Sequence, residues 1–135
     1  MRRILTIVAA LAGTAASLAA HHSLSEYDTK KQITLTVTVR EFHFVNPHPY
    51  LIVDAKLGPF VNPWRLELDN RFELLDIGMT GETFKRGDEL VVAGAAGRDQ
   101  KPILYVRALT RASDGFRYEQ PDSTPRIVRP SRTGK

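Results

Sequence analysis

Ile33-Thr34-Leu35-Thr36-Val37-Thr38-Val39 alternates without a break between an aliphatic side chain and threonine. Side chains on a strand point to opposite faces at every second residue. This run therefore predicts a half-buried strand, with its aliphatic face on a core and its threonines outside. The rest of the fold is read outward from this strand.

Downstream, Asn46-Pro47-His48-Pro49 interrupts the chain. A second strand is expected over about Tyr50 to Leu57, stopped by Gly58-Pro59. A third is expected over about Pro63 to Leu68, with Trp64, Leu66 and Leu68 on one face. Asn70 followed by Glu73 is a capping signal, Phe72, Leu75 and Met79 sit at helical spacing, and Gly78 is a natural C-terminal stop. One short helix fits there. Lys85-Arg86-Gly87-Asp88 reads as a tight turn, Glu89 to Ala95 as a fourth strand and Ile103 to Thr110 as a fifth. Phe116 to Glu119 reads as a short edge strand.

Five strands with a helix between the third and fourth give the order of an OB-fold, so the expected class is all-β with one short helix, an OB-fold-like five-stranded Greek-key barrel. An open β-sandwich is the competing arrangement. Closing the sheet would hide its strand edges.

The ends of the chain read differently from its middle. Arg2 and Arg3 precede an apolar run from Ile4 to Ala12, and small residues follow to Ala20. That is the layout of a secretory signal peptide, so residues 1–20 are expected to be removed and the protein to be periplasmic or secreted. Cleavage after Ala19 or after Ala20 fits the small-residue pattern. The apolar run is too short for a membrane span, and without cysteine no lipid anchor can be attached there. From Pro121 to Lys135 no apolar period survives, which predicts a disordered basic tail after a domain spanning residues 21–120.

Charge and cysteine content narrow the function classes. The 135 residues include 19 Lys and Arg against 15 Asp and Glu. Residues 21–122 carry 13 of the basic and all 15 of the acidic residues, a net of −2, so the positive charge sits in the two ends. A domain of that charge is not expected to bind nucleic acid. The absence of cysteine excludes a disulfide scaffold, a thiolate metal site and a Cys nucleophile. No phosphate-cradling glycine loop precedes the helix, and no Gly-x-Ser-x-Gly elbow occurs. An enzyme is not the expected class.

Several local patterns occur together. His21-His22-Ser23 follows the signal peptide, then come Tyr27-Asp28, the threonine-rich strand, Asn46-Pro47-His48, Trp64 and the Lys85 to Asp88 turn. In this combination the chain resembles an uncharacterised family of small exported bacterial proteins over roughly residues 15 to 112. The resemblance implies export and this fold, and carries no activity with it. Pro49 makes the loop stiffer than the family pattern.

The four histidines, His21, His22, His43 and His48, all lie in the first half of the chain. An α-amine has an ordinary pKa near 8, so it can shed its proton and bind a metal near neutral pH. If cleavage follows Ala20, the amine and ring of His21 can chelate one ion, with His22, His43 or His48 adding an imidazole. If it follows Ala19, the amine, two amides and the His22 ring can form a square plane. Nitrogen-rich tetragonal sites favour Cu(II), so copper(II) is the expected metal. Pro47 and Pro49 hold the backbone on both sides of His48. The N-terminal arm is expected to fold over this loop, with Tyr27 and Asp28 orienting a ligand.

Plain structural readings stand beside these. His21-His22 can be a polar arm, His43 a surface residue between Phe42 and Phe44, and Asn46 to Pro49 a rigid turn. Trp64 reads foremost as core packing. The leading expectation is a non-enzymatic periplasmic protein holding Cu(II). The alternative is an OB-type interaction module for an envelope protein, peptide or glycan, with the histidines incidental. A copper redox enzyme built on an N-terminal histidine is a third, weaker option.

Overall fold

The structure, a computed structural model, describes residues 24–128. Seven strands form one sheet: β1 (Tyr27–His43), β2 (Tyr50–Leu57), β3 (Phe60–Glu67), β4 (Glu89–Gly97), β5 (Ile103–Arg111), β6 (Phe116–Glu119) and β7 (Arg126–Ile127). One helix, α1 (Arg71–Asp76), lies between β3 and β4. The sheet runs β3-β2-β1-β4-β5-β6-β7, and β3 also pairs with β5. Five strands thereby close a ring, β1-β2-β3-β5-β4-β1. The architecture is the mostly antiparallel β one expected, and the short helix α1 lies in the expected place between the third and fourth strands.

Strand β1 makes the closure geometrically feasible. It is 17 residues long, pairs with β4 over Tyr27 to Thr38, and pairs with β2 over Val37 to His43. Register shifts between Asp28 and Gln32 and between Val39 and Glu41 bend it from one neighbour to the other. The remaining gap is closed by a short parallel pairing of Arg65, Leu66 and Glu67 in β3 with Ile103, Leu104 and Tyr105 in β5. Pro63, which has no N–H to donate, sits in β3 just before this pairing begins, where that strand is still an edge.

The alternation read from Ile33 to Val39 fills the ring. Leu35, Val37 and Val39 are buried, and meet Leu51, Val53 and Ala55 of β2, Leu66 of β3, Val92 of β4 and Leu104, Val106 and Leu109 of β5. Trp64 is partly buried against this cluster. On β4, Gly94 allows a close approach: a Cβ there would lie 2.0 Å from the Tyr105 carbonyl oxygen.

The helix cap is as the sequence indicates: the Asn70 side chain accepts from Glu73 N–H at 3.0 Å. The buried face is not. Phe72 is 69% exposed and Leu75 is 40% exposed, whereas Leu74 and Met79 are fully buried. The helix ends at Asp76, and Gly78 reverses the chain at φ +91°. Met79 N–H then donates to Leu74 C=O and Gly78 N–H to Leu75 C=O, both at 2.9 Å. This C-terminal motif returns the chain toward the core, and Leu74 and Met79 both belong to its buried cluster. A spacing of helical period carried through to Met79 assumes a helix that has already ended.

Beyond Pro121 the chain is not wholly irregular. Pro125 is buried, and β7 pairs with β6 through Tyr118–Ile127 and Glu119–Arg126. Residues 1–23, and with them the expected signal peptide, His21 and His22, lie outside the described residues, as do residues 129–135.

Candidate functional site at the His48 cavity

The loop from Phe44 to Pro49 joins β1 to β2 and is anchored from both sides. Leu68 N–H donates to Pro49 C=O at 2.9 Å, and Arg71 N–H donates to Pro47 C=O at 3.0 Å. The Arg71 guanidinium donates to Phe44 C=O at 3.2 Å. The Asn46–Pro47 peptide bond is cis. His48 Nδ1 lies 3.0 Å from Leu68 C=O. A carbonyl only accepts, so Nδ1 carries the proton and the neutral ring keeps its lone pair on Nε2. Glu67 Oε1 lies 3.9 Å from the same nitrogen.

Two carboxylates that the sequence reading passed over flank this histidine. Glu67 and Asp69 are each only 7% exposed. They alternate with Leu66 and Leu68, so by period alone they belong on a solvated face. That face is covered from elsewhere in the chain. Tyr27 donates its hydroxyl to Glu67 Oε2 at 2.9 Å across 40 residues, and Gln120 Nε2 donates to Asp69 Oδ2 at 2.6 Å across 51 residues. Asp69 Oδ1 accepts from Asn70 N–H at 2.7 Å.

Burial raises the Asp69 carboxyl from 3.8 to about 6, with the Glu73 carboxylate adding to the rise and His48 opposing it. Burial, reinforced by Glu67, pushes the Tyr27 phenol far above its ordinary range. Burial also raises the phenols of Tyr105 and Tyr118, with Asp69 adding to both shifts.

A cavity of about 320 Å³ opens between these groups, lined by Leu24, His48, Asp69, Tyr105, Arg107 and Gln120, with Asp122 and Ser123 at its rim. Leu24 is the first described residue and lies two positions after His22.

The remaining sequence candidates fall elsewhere. His43 Nε2 is 2.7 Å from Glu41 Oε2, and its ring stacks on Tyr50 at 4.6 Å. The Arg65 guanidinium also lies over the Tyr50 ring, at 4.2 Å. His43 is not among the residues lining the cavity. Tyr27 and Asp28 belong to β1 rather than to a free arm, and Asp28 Oδ1 accepts from Lys30 N–H at 3.1 Å. Among the described residues, no three His, Asp or Glu side chains are grouped to hold a metal ion.

No curated protein and no solved structure matches the chain. The family of unknown function DUF6152 matches residues 8–103, which is more than half of the chain. The protein is a member of that family.

Proposed function

We propose that this is an exported, non-enzymatic binding protein that holds Cu(II) between its matured amino terminus and His48. The fold underneath would be an OB-like barrel, whose β1–β2 loop is a usual place for ligands. One observation carries the reading: Leu24 and His48 line the same cavity. The chain spans at most about 3.5 Å per residue, so His21 and His22 are tethered within roughly 11 Å of Leu24. The Nδ1 contact with Leu68 C=O is the kind of outer partner that fixes a metal-binding histidine and leaves Nε2 to the ion. His43 takes no part in this proposal.

The test is a Cu(II) titration of protein whose N-terminus the cell has processed, read by the visible d–d band. One-to-one saturation is expected, with loss of the band when an extra residue precedes the native N-terminus. No saturable binding, or equal binding by the extended form, overturns the reading.

A second reading, an interaction module for an envelope protein, peptide or glycan, is favoured by one observation. Phe60 and Val61 are 69% and 62% exposed side by side at the β2–β3 turn. Under it, replacing Phe60 and Val61 by Ser and Thr abolishes capture of a specific periplasmic partner, and replacing all four histidines by Ala does not.

A further inference from the structure

The connection between β4 and β5 holds two consecutive non-glycine residues in the left-handed region, Asp99 at φ +53° and Gln100 at φ +56°. A side chain on an L-residue is strained there. Such strain persists only where the surrounding contacts fix it, and it gathers at clamps and functional sites. Here Lys101 N–H donates to Arg98 C=O at 3.1 Å, and Ile103 N–H donates to Lys101 C=O at 2.8 Å.

This turn grips the start of the described chain. Arg98 N–H donates to Glu26 C=O at 2.8 Å, and Arg98 Nε–H donates to Ser25 C=O at 3.1 Å. Lys101 Nζ donates to Glu26 Oε1 at 3.2 Å. One turn thus reaches two successive residues from the far end of the sequence. Leu24, the next residue toward the amino end, lines the His48 cavity. The β1 ladder does not do this work. Tyr27 and Asp28 pair with Gly97 and Ala96, and the register then shifts before Gln32, so the long run of pairing begins well after Glu26.

We infer that Arg98 and Lys101 form a clamp that positions the matured amino terminus at the His48 cavity. Its effect on metal affinity rests on the copper reading above; the holding of Ser25 and Glu26 does not. Neither residue lines the cavity, so both act through the chain they hold. The physical effect is a shorter tether. Clamped, His21 is three residues from a fixed point at Leu24. Released, the nearest fixed point is Tyr27, six residues away, whose hydroxyl is bound to Glu67. The effective concentration of a tethered end falls roughly as the −3/2 power of tether length, so doubling the tether dilutes the terminus about threefold at His48.

The test uses processed protein and the variant Arg98→Pro, which removes the main-chain and the side-chain donor together. Gly97, at φ −60° and ψ 143°, already has the extended backbone that a following proline requires. In metal-free buffer, the heteronuclear NOE of the Leu24 and Ser25 amides should fall toward that of a free terminus, while the amides of β4 and β5 keep their order. Competition titration should then find the Cu(II) Kd raised about threefold. Arg98→Lys, which keeps the N–H and a cationic donor, should behave as the parent in both measurements. Should Arg98→Pro fail to fold, Arg98→Ala combined with Lys101→Met should move both readouts in the same direction. Leu24 and Ser25 as rigid in the variants as in the parent overturn the clamp, and so does loosening that leaves the copper affinity of a copper-binding parent unchanged. If the parent binds no copper, the metal reading falls alone, and the metal-free NOE decides whether the clamp exists.

Discussion

Gln120 Nε2 sits 2.6 Å from Asp69 Oδ2, joining the end of β6 to the end of β3 over a buried carboxylate. Burial of that carboxylate has a consequence for stability against pH. Asp69 titrates near 3.8 when unfolded and at about 6 in the fold. The folded state therefore holds the proton more tightly. The stability it contributes is fully present below pH 3.8 and is lost as pH rises through about 6. The size is at most about 3 kcal/mol, a little under 1.4 kcal/mol for each of roughly 2.2 pKa units. Asp69→Asn should remove this dependence. Its Oδ1 keeps the Asn70 N–H, and its new amide can donate to Gln120 Oε1 once Gln120 turns over. Urea unfolding should find the variant about 1–2 kcal/mol more stable than the parent at pH 7.5 and level with it near pH 4. A variant less stable at both pH values would contradict the assignment.

Tyr27 and Glu67 form a second buried pair, at 2.9 Å. Tyr27→Phe removes the donor and leaves the carboxylate less well solvated inside the protein. The expected cost is about 1–3 kcal/mol. Glu67→Gln lowers the stake, because a neutral amide needs the phenol less. In a double-mutant cycle the two changes should cost at least 0.5 kcal/mol less together than the sum of the singles, about the threshold for neighbours in contact. Strict additivity would mean that the hydroxyl contributes nothing to holding the charge.

The two ends of the helix segment separate a packing residue from a surface one. Leu74 is fully buried, and Leu74→Ala should cost about 2–5 kcal/mol. Phe72 is exposed, and Phe72→Ser should stay within about 0.5 kcal/mol of the parent. Chemical denaturation of the two variants checks both values. A large loss at Phe72 would show that something covers it in solution.

These residues also mark what the sequence discloses and what it hides. Strands β2 and β6 match their expected bounds because local signals punctuate them: Gly58-Pro59 after Leu57, and Ser113-Asp114-Gly115 before Phe116. The Asn70 cap is legible for the same reason. The extra length of β1, ten residues beyond the Ile33 to Val39 run, carries Lys30, Lys31 and Gln32 and breaks the apolar alternation, so pattern alone stops short. Glu67 and Asp69 were illegible for a different cause. Their burial is decided by Tyr27 and Gln120, which approach only after the ring has closed. His48 was legible as a candidate from its prolines, but its companions in the cavity were not.

Gly94 tests the ring closure itself. A methyl group there would meet the Tyr105 carbonyl oxygen at 2.0 Å, where β4 and β5 shift register between Ala93 and Gly94. Both partners are backbone, so no flexible side chain can yield. Gly94→Ala should lose more than about 4 kcal/mol or fail to give soluble protein. Gly58 offers the contrast. Its φ is +60°, but nothing lies within 4 Å of an added Cβ. Gly58→Ala should cost about 1–2 kcal/mol, the strain of the left-handed conformation alone. Thermal unfolding of the pair separates steric closure from backbone strain.

His43 and His48 flank the same loop yet hold their rings differently, and copper should tell them apart. His43 already has Glu41 at 2.7 Å and lies flat on Tyr50, so a metal would have to displace the carboxylate and compete with the stack. His48 donates its Nδ1–H to Leu68 C=O in a hydrogen bond and keeps Nε2 for a ligand. His48→Ala should weaken Cu(II) binding at least as much as losing an outer partner of a metal site does, about 10–100-fold. His43→Ala should leave the affinity within about twofold, a change worth under 0.5 kcal/mol. Competition titration against a chelator of known affinity reads both variants on one scale. Equal losses at the two positions would place the metal between β1 and β2 rather than in the cavity with Leu24, and the proposal for the amino terminus would fall with it.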